Sequence, residues 1–180
     1  MNLRNVGIAL ISLALLVSAA CSPTKSEAEL AAEALQRGLE AHGTGRLDDA
    51  AVAYREVLVH DPQSKFAYHN LGLIEQTREH PEAAEAYYRL ALGIDPNFTS
   101  ALFNLAILRT QAGAFQEAID LYQKVIELEP ENASAHLNLG FALLEVRQNE
   151  EAQRHFQLAT ELDPGLTQRI PQEQFPTPTP

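Results

Sequence analysis

Apolar and small residues along this chain fall on helical stripes, and the stripes repeat. Pro62, Pro96, Pro130 and Pro164 are each 34 residues apart, in HDP, IDP, LEP and LDP. Counting back from them divides the chain into units 31–64, 65–98, 99–132 and 133–166. The eighth residue of each unit is small: Gly38, Gly72, Ala106 and Gly140. The twentieth is Ala50, Ala84, Ala118 or Ala152, and the twenty-fourth is a ring, Tyr54, Tyr88, Tyr122 or Phe156. Short turns, HGTGRLDD, TREHPE, QAGAFQE and VRQNEE, divide each unit in two. A fixed period of this length with that division predicts paired antiparallel helices stacked in an array.

Small residues at positions 8 and 20 let two helices approach closely, a ring at 24 fills the space beside them, and proline at 32 stops the second helix. One such pair buries little alone, so stability has to come from stacking neighbours into a continuous core. The expected fold class is all-α. The pattern resembles the tetratricopeptide repeat. Unit two matches best, with Tyr68, Leu71, Gly72, Ala84, Tyr88, Ala91 and Pro96, and unit one departs most, with Ala34 and Arg37 at positions usually larger or apolar. The resemblance implies a right-handed solenoid whose first helices line a concave groove. In the last unit Gln153 and Thr160 replace apolar groups of the third, and residues 167–180, TQRIPQEQFPTPTP, are too rich in proline for a closing helix. That tail is expected to be extended or disordered, with Leu166, Ile170 and Phe175 covering the final helix, and copies could self-associate through this under-capped end.

Ahead of the array, residues 1–20 read as a secretory leader: Arg4, the apolar run Val6–Val17, then Ser18, Ala19 and Ala20. Twelve apolar residues span about 18 Å as a helix, short of the hydrocarbon core of a bilayer. Cys21 follows, the chain's single cysteine, so it has no partner within the chain for a disulfide. VSAAC resembles a bacterial lipobox, with Ser18 where leucine is more usual. The resemblance implies that Cys21 becomes the fatty-acylated (palmitate-bearing) first residue of an envelope lipoprotein. With Ser22 rather than aspartate next, it implies the outer membrane, facing the periplasm, in a Gram-negative cell. Residues 21–30 are then a short tether leading into the first helix.

Charge narrows the partners. Lys+Arg number 13 against 24 Asp+Glu, a formal net charge of −11. Such a surface repels phosphate backbones, which sets nucleic acid aside and favours basic protein segments. The chemistry is sparse. Six histidines at 42, 60, 69, 80, 136 and 155 show no i, i+4 pairing, and neither a P-loop nor a G-x-S-x-G elbow occurs. No metal, no cofactor and no catalytic residue is expected.

The sixth residue of each unit is Gln36, Asn70, Asn104 or Asn138. At about 100° per residue this position points away from the seam made by positions 4, 7, 8 and 11. Phe66, Leu73, Phe103, Ile107 and Phe141 are the apolar residues expected with the amides in the groove. An amide both donates and accepts, so it can hold a peptide backbone whatever its side chains. The row resembles the asparagine ladder in the repeat domain of O-linked N-acetylglucosamine transferases. The alternative is that these amides bond neighbouring helices and fix the geometry between repeats. Leu35, Leu39, Asn70, Ser100 and Asn104 stand where relatives that clamp a terminal carboxylate carry Lys and Arg. An internal extended or amphipathic segment is thus the expected ligand. The resemblance to small repeat lipoproteins implies assembly of pili, secretion channels or cell-wall machinery, with recruitment of a cell-wall or polysaccharide enzyme as an accessory role. Replacing Cys21 by Ala is expected to abolish metabolic fatty-acid labelling and release the protein from membranes; labelling that persists in the variant overturns the lipid assignment.

Overall fold

The computed structural model describes residues 25–171; the leader, Cys21 and tail residues 172–180 lie outside the described residues. Among the described residues there are eight α-helices and no strand. They are α1 (Glu27–Gly43), α2 (Leu47–His60), α3 (Lys65–Thr77), α4 (Pro81–Ile94), α5 (Thr99–Gln111), α6 (Phe115–Leu128), α7 (Ala133–Glu145) and α8 (Asn149–Leu162). Odd helices pack on the even helix that follows within the repeat, and α2, α4 and α6 each pack on the odd helix of the next repeat. The all-α array of paired helices is as the spacing predicts.

Local chemistry sets the boundaries. Ser26 caps α1 in a reciprocal box with Glu29, Ser64 caps α3 and Asn132 caps α7, each accepting from a backbone N–H of the first turn. Pro81 opens α4, where its missing N–H is no loss. At the other end, Asp61, Asp95 and Asp163 each accept from the backbone N–H two residues on, across the intervening proline. Aspartate followed by proline is therefore the stop signal of each even helix but the sixth, α6, where Glu129 takes its place.

Within each pair the seam is very close. A Cβ added to Gly38, Gly72 or Gly140 would lie 2.5, 2.5 or 2.6 Å from the ring of Tyr54, Tyr88 or Phe156. Those rings, with Tyr122, are buried. Leu71, Ile74, Leu137, Leu139 and Leu143 complete a core running along the array.

The ends differ. On α1, Glu33, Arg37 and Glu40 are exposed at the positions where later repeats bury Ala67, Leu71 and Ile74, so Arg37 belongs to a polar terminal face; it pairs with Glu56 at 2.5 Å. At the other end the chain corrects an expectation. The segment from 167 is expected to be extended or disordered with Leu166 and Ile170 covering the last helix; the cover is as expected, but Thr167–Arg169 complete a 3-10 helix, Pro164–Arg169. Ile170 is buried and Leu166 half-buried against the core beside Phe156. The physical reason is that α8 still presents an apolar surface to be covered, and Pro164 serves as a helix start as readily as a helix stop.

One feature of the turns was not foreseen. Position 15 of every repeat, Gly45, Glu79, Gly113 and Arg147, has a left-handed backbone with φ of 75°, 61°, 75° and 62°. Only glycine adopts that conformation without steric cost, which is about 1–2 kcal/mol for other residues. Glu79→Gly is therefore expected to raise the stability to urea by about 0.5–1 kcal/mol once the extra freedom of the unfolded chain is subtracted, and Gly113→Ala to lower it.

Candidate functional site

The face in question is carried by α1, α3, α5 and α7, and the seam places position 6 on its solvent side. Gln36 is exposed, and Asn70, Asn104 and Asn138 are each partly exposed. The three asparagines do not make equivalent bonds. Asn70 Nδ2 donates to the carbonyl of Phe66 one turn back in its own helix, at 2.8 Å. Asn104 Nδ2 lies 2.9 Å from Nε2 of His69, a residue of the preceding repeat. Asn138 has no hydrogen-bond partner for its side chain among the described residues, and none of the three amide oxygens accepts a bond there. Asn104 thus fixes geometry between repeats with one end of its amide and leaves the other end to solvent.

The apolar part of the expected groove divides. Leu73 packs against Ala84 and Tyr88, and Ile107 leans on the core of the third and fourth repeats. Phe103 lies edge-on to Tyr122 at 5.9 Å and Phe141 edge-on to Phe156 at 5.1 Å. All of these are half-buried, so they support the core as much as they line a surface. Phe66 is different: it is 50 % exposed, as Leu39 is at 52 %.

Around Phe66 lies a cluster that sequence reasoning missed. The Phe98 ring packs edge-on against Phe66 at 5.5 Å and against His69 at 5.3 Å. Lys65 Nζ stands 4.9 Å from the centre of the Phe98 ring and pairs with Asp95 at 2.5 Å. The Lys65 ammonium, helped by the Asn97 N–H, holds the Asp95 carboxyl below its ordinary range. The available signal was Phe98 itself, a ring at a position where the first and third repeats carry the capping residues Ser64 and Asn132.

His69 is the titrating member of the cluster. Burial, and next the nearby His42, pull its pKa down to about 4, against a smaller opposing contribution from the Ser100 backbone. Neutral at pH 7, its Nε2 accepts from Asn104. A second histidine contact joins two residues that are 19 apart in sequence. His136 Nε2–H donates to the carbonyl of Pro130 at 3.0 Å, which leaves its Nδ1 to accept from Nδ1–H of His155 at 2.9 Å. That chain ties the turn before α7 to α8. Burial, and then His136, lower the His155 pKa. No group of three or more metal-binding side chains occurs among the described residues.

Residues 35–97 and 133–166 match families described as tetratricopeptide repeat, and residues 108–146 match a family described as TPR repeat. No curated protein matches the chain. Among solved structures, PilF of Pseudomonas aeruginosa is similar at 27 % identity and TM-score 0.70, over 78 % of this chain and 64 % of that one. MamA is similar at 23 % identity and TM-score 0.68, over 77 % of this chain and 81 % of that one. YrrB, described as a TPR protein with an unusual peptide-binding site, is similar at 21 % identity and TM-score 0.64, over 76 % of this chain and 71 % of that one.

The depressed pKa of His69 gives the array a pH dependence with a definite sign. A base whose folded pKa lies below its unfolded value stabilises the fold above the unfolded pKa of about 6.5, and that contribution is lost as pH falls toward about 4. Between pH 7 and 5 the protein is expected to lose about 2 kcal/mol more than a His69→Gln variant, which keeps an acceptor for Asn104 without the charge. Paired urea titrations at the two pH values measure the difference.

Proposed function

The chain belongs to the tetratricopeptide repeat family, and from that premise we propose that it is a non-catalytic protein-binding module. It holds a partner segment on the face of α1, α3, α5 and α7, tethered to a membrane of the cell envelope through lipidated Cys21, and helps to assemble an envelope complex. The observation that carries the reading is the row of position-6 amides whose oxygens accept no bond among the described residues. Acceptors at a regular spacing on a half-exposed face suit the N–H groups of an extended segment, and Phe66 beside them offers apolar contact. The peptide-binding site ascribed to YrrB supports the same use of a similar fold.

The tether adds a geometric condition. Five residues, six Cα steps, lead from Cys21 to Glu27, a reach of at most roughly 20 Å. The binding face then works close to the bilayer, and the partner is a membrane-proximal segment. Facing an acidic protein, that segment is favoured when basic.

A second reading is self-association through the C-terminal end. It is supported by a hollow of about 960 Å³ there, between Phe141, Leu144, Arg147, Gln153 and Pro171. It predicts a mass that rises with concentration in solution scattering, and a constant monomeric mass excludes it.

Replacing Asn70, Asn104 and Asn138 together by Ala tests the first reading. Helical circular dichroism is expected to be retained while cross-linked capture of the partner from native membranes falls at least about tenfold, from losing several hydrogen bonds of about 1 kcal/mol each. Loss of the fold, or capture at the original level, overturns it.

A further inference from the structure

Between the first and second repeats a hollow of about 510 Å³ opens on the same edge of the array, walled by Ala31, Ala32, Leu35, Val57 and Phe66 and rimmed by Glu27, His60 and Asp61. The array contains its own control for this place. One repeat later, the corresponding space is filled by the Phe98 ring, packed against Phe66 and His69. At the first junction the residues in those places are Ser64, Ala32 and Leu35. A ring is missing, and three smaller or aliphatic side chains surround the gap.

A charge is missing with it. At the second junction Lys65 lies beside the Phe98 ring and pairs with Asp95, and Asp95 also accepts from the Asn97 N–H. At the first junction Ala31 stands in the place of Lys65, whereas Asp61 repeats Asp95 and accepts from the Gln63 N–H in the same way. Its carboxylate forms no ion pair among the described residues. Glu27, next to it on the rim, is matched only by His60, at 2.6 Å. The first junction thus keeps the anion of a ring, cation and carboxylate cluster and lacks the other two members.

We infer that the hollow between α1 and α3 is an anchor site for a partner segment that presents an aromatic side chain followed by a lysine or arginine, the ring entering against Phe66 and the cation reaching Asp61. The inference deepens the protein-binding reading above and rests on it. A ring in the hollow is covered by the half-exposed Phe66 edge, and the ammonium sits over that ring as Lys65 does over Phe98, gaining cation–π contact with ion pairing. An aliphatic anchor forgoes the ring contact, and an acidic neighbour faces Glu27 and Asp61 at close range.

The probe is the blocked hexapeptide Gly-Ser-Phe-Lys-Ser-Gly, titrated into the full chain and followed by amide NMR. Saturable shifts are expected at Ala32, Leu35, Asp61 and Phe66, with a dissociation constant on the order of 1 mM. Peptides with Ala in place of Phe, or Glu in place of Lys, are expected to bind at least tenfold more weakly. Ser64→Phe, which builds the second junction's filling into the first, is expected to keep the fold and abolish the shifts; Ala32→Phe serves if that variant fails to fold. Equal binding of the three peptides, or unchanged shifts in the filled variant, overturns the site. So does a shift of amides ahead of Glu27 on filling the hollow without peptide, which marks the chain's own leader as occupant, and so does a concentration-dependent mass that filling abolishes, which marks a second copy. The titration reads the hollow alone, whereas capture by the asparagine variant reads the amide row, so either can fail without the other.

Discussion

Everything in this array depends on one contact, a ring laid flat on a residue that has almost no side chain. Gly38 under Tyr54, Gly72 under Tyr88 and Gly140 under Phe156 bring two backbones closer than any larger residue allows. The third repeat places Ala106 at this point and still buries Tyr122. Removing a buried ring of this size to alanine costs about 3–5 kcal/mol in a typical core, comparable with the whole stability of many small domains. The consequence goes beyond stability. Because the seam fixes the rotation of each odd helix about its own axis, it also fixes which residue stands opposite, and a period of 34 lines up position 6 along one side. The proposed binding face is thus a by-product of the packing, and its regularity is the regularity of the seam.

That dependence explains what could be read from the sequence and what could not. The seam is made of residue types, small and aromatic, that are distinctive and recur in register, so helix pairs and core were legible. The turns were legible as turns, but the left-handed residue at position 15 was hidden because Glu79 and Arg147 occupy it in two repeats where glycine would have announced it. Arg37 looked like a departure from the pattern; it is the pattern of a terminal helix, whose outer positions meet solvent instead of a neighbour. Phe98 escaped notice because it sits past the proline, in a stretch that reads as a linker, and its partners His69 and Phe66 belong to another helix. Contacts that one unit makes and the others do not are the part that a repeat pattern hides, since the pattern describes what units share.

Between repeats the chain adds ion pairs to the apolar packing. Arg109 pairs with Glu85 across the second junction's helices, Arg89 joins Glu85 to Glu117 at 2.8 and 3.0 Å, and Arg78 bridges Glu75 and Asp48. Lys65 and Asp95, near the two ends of one repeat, pair beside Phe98. Exposed pairs of this kind are worth little singly, but Arg109 and Glu85 are about four-fifths buried, and a shared carboxylate makes a small network. Such bonds set the angle between rigid pairs, and hence the curvature of the face they carry.

The same placement decides how the acidic surplus is displayed. Lys25, Arg37, Arg46, Lys65, Arg78, Arg89 and Arg109 all lie in ion pairs, so most of the positive charge is matched inside the array. With 13 basic against 24 acidic side chains in the chain, the excess must appear as carboxylates without a cation, Asp61 among them. A surface of that kind attracts cationic segments over a Debye length of about 8 Å at physiological salt, and repels anionic headgroups. With the proposed lipid tether, tether and charge would act in opposite senses: one would hold the array within reach of the bilayer, and the other would keep its acidic surface from lying down on it.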